Sequence, residues 1–429
     1  MSALSHITSY YAASANDRRI RPELEGSVKV DVCVIGAGFT GMSTALHLAE
    51  RGFKVLVLEA RRIGFGASGR NGGQIVHSYS RDIDFIEQHY GQKTAQAMGA
   101  MAFEGGKIIR RLVEDYSIQC DLKDGGIFAA CNGKQFQELR AKKDLWERYG
   151  HADLELLGAE ELRTYIGSGR YVGALLDRSG GHFHPLNLVL GEARAFESMG
   201  GIICEGSPAV KVEDSHQIKV HTPKGCVTAD IAVVAGNAYL GDLIPGLQAK
   251  AMPCGTQVIA TEPLTQAQQR ELLPQGQCVE DCNYLLDYYR LSGDGRLIYG
   301  GGVTYGARDP GKIESLIVPK MLKTFPQLKG VAVEFAWTGN FLLTLMRLPQ
   351  FGRTGTHSNI YYAQGYSGHG VTCSHLAGRV LADAIQGQTG NYDVFASLPQ
   401  YPFPGGRVMR VPYTALGAFY YSLRDKLGI

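Results

Sequence analysis

Apolar residues fall into short continuous runs along the chain, and these runs predict strands buried on both faces. The first run, Val30–Ile35, is largely β-branched and leads through a glycine turn into a helix-like stretch, Thr40–Arg51. Gly52 ends that stretch, and the letters KVLVLE predict a second buried strand after it. Two later runs, in VTADIAVVAGNAYLG and NIYYAQGYSGHGV, also lead into glycine turns. Such strands are typical of a parallel sheet covered by helices.

Two other segments have different patterns. NYLLDYYRL, which begins at Asn283, is rich in β-forming residues and predicts a strand of a second, mostly antiparallel domain. RIGFGASGRNGGQ (Arg62–Gln74) has no apolar periodicity and carries five glycines in thirteen residues. It therefore predicts neither an amphipathic helix nor a half-buried strand. Its glycines indicate a loop whose backbone a ligand approaches closely.

The overall composition narrows the class of protein. A chain of 429 residues is too long for one compact domain and predicts two, whose segments can be discontinuous. The net charge of +2, without long runs of either sign, gives no support for nucleic-acid binding. The nine cysteines are odd in number and scattered, which favours reduced thiols and predicts no metal site. Because the N-terminus lacks the apolar core of a signal peptide and no apolar run reaches membrane-spanning length, we expect a cytoplasmic protein with no membrane partner.

The first strand–turn–helix unit has the spacing of a dinucleotide-binding site. Gly36, Gly38 and Gly41 match the pattern G-x-G-x-x-G. The first glycine permits the turn, the second admits a pyrophosphate, and the third lets helix and strand pack closely. The helix N-terminus supplies free N–H groups to the phosphates. Glu59, at the end of the second strand, is placed to accept hydrogen bonds from a ribose.

Two later glycine segments favour FAD over NAD. After Glu59 the chain enters the glycine-rich loop rather than an ordinary crossover helix, and this loop suits a long cofactor with a flat ring system. Far along the chain, a strand leads into Gly365, Gly368 and Gly370 and then a helix from about Val371. The N-terminus of that helix suits the ring edge that gains negative charge on reduction. An NAD-linked dehydrogenase would explain only the first unit, whereas a flavoprotein that only transfers electrons stays open as an alternative.

Over nearly all its length, the sequence resembles the D-amino-acid-oxidase-like family of FAD-dependent amine oxidoreductases. The resemblance rests on the segments SYYAASAN, RIGFGASGRNGGQ, GGHFHPLNL, MPCGTQV, CNYLLDYYRL, GGGVTYGARDP, WTGNFLLTL and QGYSGHGVTCSHLAGR. It implies oxidation of the primary amine of gamma-glutamylputrescine, or of a similar gamma-glutamylated polyamine. The products would be the aldehyde, ammonia and hydrogen peroxide, in putrescine breakdown with oxygen as electron acceptor. The alternatives are oxidation of another amine, a free polyamine or an amino acid, and a dehydrogenase that passes electrons to a protein.

Three positions depart from the pattern of better-known relatives. Amino-acid oxidases that the chain resembles commonly carry an arginine just after the glycine that corresponds to Gly339, where it holds the substrate carboxylate. Here Asn340 and Phe341 follow, although Arg347 lies nearby and could substitute. Sarcosine-oxidase relatives have a basic residue at the position of Thr372. A carboxylate beside the flavin is therefore not expected. Because those relatives attach FAD through a cysteine that corresponds to Phe341, we expect non-covalent FAD.

The fold class follows from the motif order and the resemblance. We expect an α/β protein with a discontinuous Rossmann-like FAD-binding domain and a substrate domain built on a mixed, largely antiparallel sheet. The FAD-binding domain should comprise residues 28–105, 170–247 and 338–388. The substrate domain should comprise residues 106–169 and 248–337, and residues 389–429 should form a C-terminal extension ending in a helix after Pro412.

The motifs and the resemblance together predict the site residues. For catalysis and substrate contact we predict His369, Tyr288, Tyr289 and His184, with Tyr284 as a further member of an aromatic cage. The tyrosines can also be read as ordinary sheet residues, and His184 as a helix cap before Pro185. Possible partners of a distal amino group are Glu280, Asp281 and Asp287. The predicted cofactor-binding residues are Gly36, Ala37, Gly38, Phe39, Thr40, Gly41, Glu59, Ala60, Arg61, Gly66, Ala67, Ser68, Arg70, Asn71, Gly72, Gly73, Gln74, Val210, Gly236, Gly339, Gly365, Ser367, Gly368, His369, Gly370, Val371 and Thr372.

Overall fold

The computed structural model describes residues 4–306, 311–406 and 409–416. The strands in these ranges are β1 Gly26–Ile35, β2 Val55–Leu58, β3 Gln74–Ile75, β4 Lys123–Ala130, β5 Leu154–Gly158, β6 Gly173–His182, β7 Ile202–Cys204, β8 Lys211–Glu213, β9 Ile218–His221, β10 Gly225–Val234, β11 Ala251–Thr261, β12 Cys278–Asp281, β13 Asp287–Leu291, β14 Leu297–Tyr305, β15 Val333–Thr344, β16 Gln350–Thr354 and β17 Ile360–Gln364. The α-helices are α1 Tyr10–Ala13, α2 Phe39–Glu50, α3 Ile83–Tyr90, α4 Gln92–Met101, α5 Glu104–Asp115, α6 Gly133–Arg148, α7 Ala159–Leu162, α8 Pro185–Ser198, α9 Gln266–Leu272, α10 Ile313–Thr324, α11 Gly370–Ile385 and α12 Gly390–Ala396.

The first sheet has a parallel centre, as the apolar runs predict. Its strand order is β16-β17-β10-β1-β2-β7, and β8 and β9 extend it beside β10. Strands β17, β10, β1, β2 and β7 are parallel, while β16 runs antiparallel to β17. Both faces of β2 are buried, which explains why its sequence is apolar throughout.

Helices α2 and α11, which follow the two glycine turns, pack against each other. Ser43 Oγ donates a hydrogen bond to the His375 carbonyl at 3.1 Å. A Cβ added at Gly378 would lie 2.5 Å from the Ser43 Cβ, so the glycine permits this close approach. The two helices therefore begin at the same end of the sheet, where the parallel strands also end.

The second sheet is mixed and largely antiparallel, as expected. Its order is β15-β11-β14-β13-β12-β4-β6-β3, with β5 beside β6. Only the β12–β4 pair is parallel among its described pairings. The predicted strand in NYLLDYYRL begins at Asp287, because residues 282–285 form a bend and turn that carries Tyr284.

The predicted domain boundaries stay a prediction, but strand pairing bears on three of the segments. Strands β3 and β6, which the sequence prediction groups with the FAD-binding segments, pair within the second sheet. Strand β15 runs continuously across the predicted boundary at residue 338. The two sheets thus exchange several segments of chain.

Helix α1 connects the two layers. The Tyr11 ring is buried and meets the Trp337 ring edge-on at a centroid distance of 5.1 Å. Tyr10 Oη donates a hydrogen bond to Asp294 at 2.7 Å, next to the β13–β14 turn. Ser14 Oγ lies 3.0 Å from His184 Nε2 at the start of α8. The helix is therefore held by the second sheet and by the start of α8, which packs against α2.

The C-terminal part is described only in part. Residues 389–406 include α12, and residues 409–416 are helical. The remainder of the predicted terminal helix, residues 417–429, and part of the segment GGGVTYGARDP, residues 307–310, lie outside the described residues. Among the helices that are described, none combines the length and apolarity needed to cross a membrane.

Candidate active site

The first glycine turn joins β1 to α2 and is packed as its spacing predicts. Gly36 has a φ of 107°, a backbone conformation that favours glycine. A Cβ added at Gly38 would lie 2.8 Å from Ser68 Oγ, and one at Gly41 would lie 1.8 Å from the Gly36 carbonyl oxygen. Gly41 therefore allows α2 to pack onto the turn and does not itself reach the cavity in front of it.

A cavity of about 620 Å³ opens in front of this turn. Glu59 lies in its wall and accepts hydrogen bonds from the backbone N–H groups of Ala37 at 2.9 Å and Arg61 at 2.8 Å. Burial raises the pKa of Glu59 to about 7. The cavity is lined by Ile35, Gly36, Gly38, Phe39, Thr40, Leu58, Glu59, Ala60, Arg61, Phe65, Gly66, Ala67, Ser68, Asn71, Pro208, Ala209, Ala235, Gly236, Asn237, Tyr239, Leu240, Leu243, Phe341, Tyr366, Ser367, Gly368, Gly370, Val371 and Ser374. We call it the cofactor cavity.

Two helix N-termini meet this cavity. Neither Gly38, before α2, nor His369, before α11, accepts a backbone hydrogen bond through its side chain as a helix cap. Free N–H groups at a helix start attract anions and partial negative charge. The spacing of the two ends within one long cavity fits FAD, whose pyrophosphate and ring carbonyls need such donors at separate places.

The glycine-rich loop crosses from the cofactor cavity to a second cavity. The Asn71 side chain accepts a hydrogen bond from Gly73 N–H at 2.8 Å and donates to the carbonyls of Ala67 and Ser68. Arg70 lines neither cavity, and its Nε donates to the Phe65 carbonyl at 2.6 Å. Asn71 and Arg70 thus fix the loop from its two sides.

The second cavity, of about 340 Å³, lies over the second sheet, and we call it the substrate cavity. It shares with the cofactor cavity Asn71, Phe341, Ser367, Gly368 and Val371. Its other lining residues are Gly72, Gln74, Val76, Ser80, Cys254, Thr256, Glu280, Tyr284, Leu285, Leu286, Tyr288, Gly301, Gly302, Val303, Tyr305, Leu343, Arg347 and His369. A molecule in the substrate cavity would therefore touch a ring held at the shared residues.

Burial favours the neutral forms of Glu280, Tyr288 and His369 in the substrate cavity by shifting their pKa values. It raises the pKa of Glu280 to about 7 and raises the pKa of Tyr288 well above its usual range. It lowers the pKa of His369 to about 4, so this imidazole is neutral at pH 7. His369 Nδ1 has no hydrogen-bond partner among the described residues. The cavity thus offers a buried carboxyl, a neutral imidazole and aromatic faces.

The structure brings His369 and Tyr288 together in the substrate cavity but not Tyr289 or His184. Tyr289 faces the opposite side of its strand, where it stacks on Tyr299 and its hydroxyl donates to Tyr171 at 3.1 Å. His184 Nδ1 accepts the Asn187 N–H at 3.1 Å and caps α8. The prediction that these two residues contact the reacting groups is corrected: one is a core residue and the other a helix cap.

Several predicted cofactor residues support the cofactor cavity without lining it. Val210 has an exposed side chain, and its N–H donates to the His221 carbonyl at 2.8 Å, whereas the neighbouring Pro208 and Ala209 line the cofactor cavity. Thr372 Oγ1 donates to the Val76 carbonyl at 2.7 Å. Others that lie behind the lining are Ala37, Gly41, Arg70, Gly73, Gly339 and Gly365. Phe341 lines both cavities, so the position at which some relatives attach FAD carries no thiol. Non-covalent binding of FAD stays a prediction.

The sequence prediction missed several lining residues. Tyr305, Cys254 and Thr256 line the substrate cavity, and Tyr239 lines the cofactor cavity. The signal was available for three of them, because Cys254 and Thr256 lie in MPCGTQV and Tyr305 lies in GGGVTYGARDP. Both segments carry the family resemblance.

A third group of polar residues lies apart from both cavities. His77, His151 and Asp177 are buried, with ligand-type atoms within 4.8 Å of one another. His151 Nε2 lies 3.1 Å from Asp177 Oδ1, and Ser179 Oγ donates to the same oxygen at 3.0 Å. Hydrogen bonds thus hold this group together and join β6 to the chain after β3.

The fold, the two cavities and the glycine turns define a flavin-dependent oxidoreductase. The family model described as FAD dependent oxidoreductase, DAO, matches residues 31–384, and the chain belongs to this family. The resemblance carried by the sequence motifs is thereby confirmed.

The chain is also similar to individual members of this family and to solved structures. The chain is 60% identical to the gamma-glutamylputrescine oxidoreductase of Escherichia coli (strain K12), over 99% of both chains. It is 40% identical to the probable oxidoreductase OrdL of Haemophilus influenzae, over 98% of both chains. Among solved structures it is similar to a glycine oxidase from Bacillus cereus, with a TM-score of 0.71 and 21% identity over 87% of this chain and 99% of that one. This last likeness shows the fold alone.

Proposed function

We propose that this enzyme oxidises the primary amine of gamma-glutamylputrescine, giving an imine that water converts to the aldehyde and ammonia. The near full-length identity to the Escherichia coli enzyme supports this substrate. The observation that carries the proposal is the lining shared by the two cavities, which contains no basic side chain. A substrate carboxylate would lack a counterion there, whereas a neutral amine needs none.

The lining residues suit an amine that must lose its proton before it reacts. FAD, when bound, accepts a hydride from the carbon next to the amine nitrogen. The nitrogen lone pair has to be free for this, and the aromatic and apolar lining disfavours the ammonium form by desolvation. Tyr288 and Phe341 can orient the amine, and the neutral His369 adds no positive charge that would repel it. No separate general base is required.

We also propose oxygen as the electron acceptor, with hydrogen peroxide as its product, and a cytoplasmic location. Glycine oxidases among the more distant relatives support an oxidase reaction. The odd and scattered cysteines support a reducing compartment.

Steady-state peroxide release across a panel of amines tests the substrate and the acceptor. We expect kcat/KM to be much higher for gamma-glutamylputrescine than for putrescine, glycine, D-alanine or sarcosine, because binding energy from the remote glutamyl group helps to orient the amine. Faster turnover of a small amino acid would contradict the amine assignment. Anaerobic bleaching of the flavin by the amine without peroxide release in air would instead indicate a protein acceptor. An absence of bleaching would indicate a flavoprotein without its own substrate.

A further inference from the structure

The substrate cavity contains one basic side chain among its described lining residues, and its backbone is unusual. Arg347 lies in the turn that follows β15 and has a φ of 57°, a left-handed conformation that non-glycine residues rarely adopt. The turn is braced by the hydrogen bond from Thr344 Oγ1 to the Leu348 carbonyl at 2.9 Å. Such conformations persist where the surrounding structure enforces them, often at ligand-binding positions.

The Arg347 side chain contacts the side chain of Tyr284 and no carboxylate of the described residues. The Arg347 guanidinium donates to Tyr284 Oη and lies 5.0 Å from the centre of that ring. No Asp or Glu in the described ranges forms a salt bridge with Arg347. Other arginines in the described ranges differ: Arg170, for example, pairs with Asp281 and Asp287. A half-buried guanidinium with a neutral partner is suited to bind an anion bidentately.

Glu280 lies at another position in the lining of the substrate cavity. It lies on β12 beside Tyr288 of β13, and Gln74 of the glycine-rich loop donates to the adjacent Val279 carbonyl at 3.0 Å. This part of the cavity is therefore attached to the loop that borders the cofactor cavity. Lys142, whose charge acts on Glu280, is bonded to Asp82 at 2.5 Å, and no residue in the described ranges forms a salt bridge with Glu280.

Arg347 and Glu280 lie at different positions along the second sheet. Glu280 pairs with Tyr288, and the pairing continues through Gly300 and Val258 to Trp337, well before Arg347 in the chain. A gamma-glutamyl derivative of a four-carbon diamine has about nine bonds between its terminal amine and its α-carbon, or roughly 11 Å when extended. A substrate of this length can place its two ends at different side chains of one cavity.

We propose that Arg347 binds the α-carboxylate of a gamma-glutamyl amine, while Glu280, at another position in the same cavity, faces its reacting amine. The inference rests on the proposed function and adds to it a carboxylate subsite and a fixed direction of binding. In such a substrate the α-carboxylate is remote from the reacting carbon, unlike the carboxylate of an amino-acid substrate.

The test compares gamma-glutamylputrescine with an analogue whose α-carboxylate is replaced by a carboxamide. We expect the unaltered enzyme to prefer the carboxylate by at least about tenfold in kcat/KM, mainly through KM. Arg347→Gln should abolish this preference, and Arg347→Lys should retain part of it. Arg353→Gln is the matched control, because Arg353 also stacks on a tyrosine but lies outside the substrate cavity.

Glu280→Gln separates the contribution of this residue from that of Arg347. It should lower kcat for both substrates while leaving the ratio between carboxylate and carboxamide unchanged. A Glu280→Gln enzyme with full kcat, or with an altered ratio, would overturn the direction of binding.

The remaining outcomes distinguish this inference from the proposed function. If the unaltered enzyme turns over gamma-glutamylputrescine no better than putrescine, the proposed function fails. If it prefers gamma-glutamylputrescine but treats the carboxamide as an equal, or if Arg347→Gln keeps the full preference, only the carboxylate subsite fails. The comparison of substrates on the unaltered enzyme needs no variant, so poor folding of Arg347→Gln would not prevent a decision.

Discussion

The cofactor cavity and the substrate cavity share five lining residues, yet they are built from different parts of the chain. The cofactor cavity is formed mainly by backbone, namely glycine turns and two helix starts, together with one carboxylate, Glu59. The substrate cavity is formed mainly by side chains that project from the second sheet, such as Tyr288, Tyr305 and Phe341. Backbone shape depends on residue spacing along one segment. A side-chain wall depends on how distant strands pair.

This difference predicts different responses to substitution. Changes in the cofactor cavity should act on FAD binding and on folding together, because the same backbone serves both. Changes in the substrate cavity should alter turnover and pH dependence while FAD stays bound.

The largest effect is expected for Gly41→Ala. The new Cβ would lie 1.8 Å from the Gly36 carbonyl oxygen, and backbone cannot move aside as a flexible side chain can. We expect a loss of about 3 kcal/mol or more in the free energy of unfolding, together with loss of FAD. Thermal unfolding and the flavin-to-protein ratio measure both. Gly133→Ala is the control, since a Cβ at that helix start meets no atom within 4 Å. Equal behaviour of the two variants would show that the turn tolerates a side chain.

The next effect is expected for Glu59→Ala. If the carboxylate accepts ribose hydroxyl hydrogen bonds, its removal should weaken FAD binding by about 1.5–3 kcal/mol. Glu59→Gln keeps one acceptor oxygen and should lose less. FAD occupancy after dilution and gel filtration is the measurement, and undiminished occupancy in Glu59→Ala would count against this placement of the ribose.

A smaller, pH-dependent effect is expected for Glu280→Gln. Burial raises the pKa of Glu280 to about 7, against the ordinary 4.5, so the folded protein binds this proton more tightly than the unfolded chain. The stabilisation is complete below the unfolded pKa and is lost as pH rises through the folded pKa. Between about pH 5 and pH 8, Glu280→Gln should therefore gain on the order of 1–2 kcal/mol over the unaltered protein.

Denaturant unfolding of both proteins across that pH range measures this gain. Nearby charges affect the size of this gain through the pKa of Glu280, which Lys142 lowers and Asp281 raises. Glu59 titrates with the same sign but is present in both proteins, so it cancels in the difference. A difference that does not change with pH would mean that Glu280 titrates normally.

The smallest effect is expected for His184→Ala. Loss of the cap on α8 should lower the free energy of unfolding by about 1 kcal/mol, and His184→Asn should restore most of it, because asparagine is a good helix cap. Turnover of gamma-glutamylputrescine should be unchanged in both variants. A fall in kcat with unchanged stability would return His184 to a catalytic role.

The same comparison explains what the sequence could predict. The parallel strands, both glycine turns and Glu59 were predictable, because their signals lie within single segments. The choice between Tyr288 and Tyr289 was not, since adjacent strand residues face opposite sides and the run of apolar and aromatic letters does not say which side is the cavity. The pairing of Glu280 with Tyr288 identifies the cavity side of the strand, because both residues line the substrate cavity. Arg347 gave no signal of its left-handed turn, because no glycine or asparagine marks the position.

Helix α1 has a consequence for the order of events during protein synthesis. Tyr10 and Ser14 leave the ribosome long before their partners Asp294 and His184, which lie 284 and 170 residues further along the chain. Trp337, against which Tyr11 packs, emerges later still. The segment must therefore stay undocked while most of the polypeptide is made, and it can close over the assembled layers only near the end of translation.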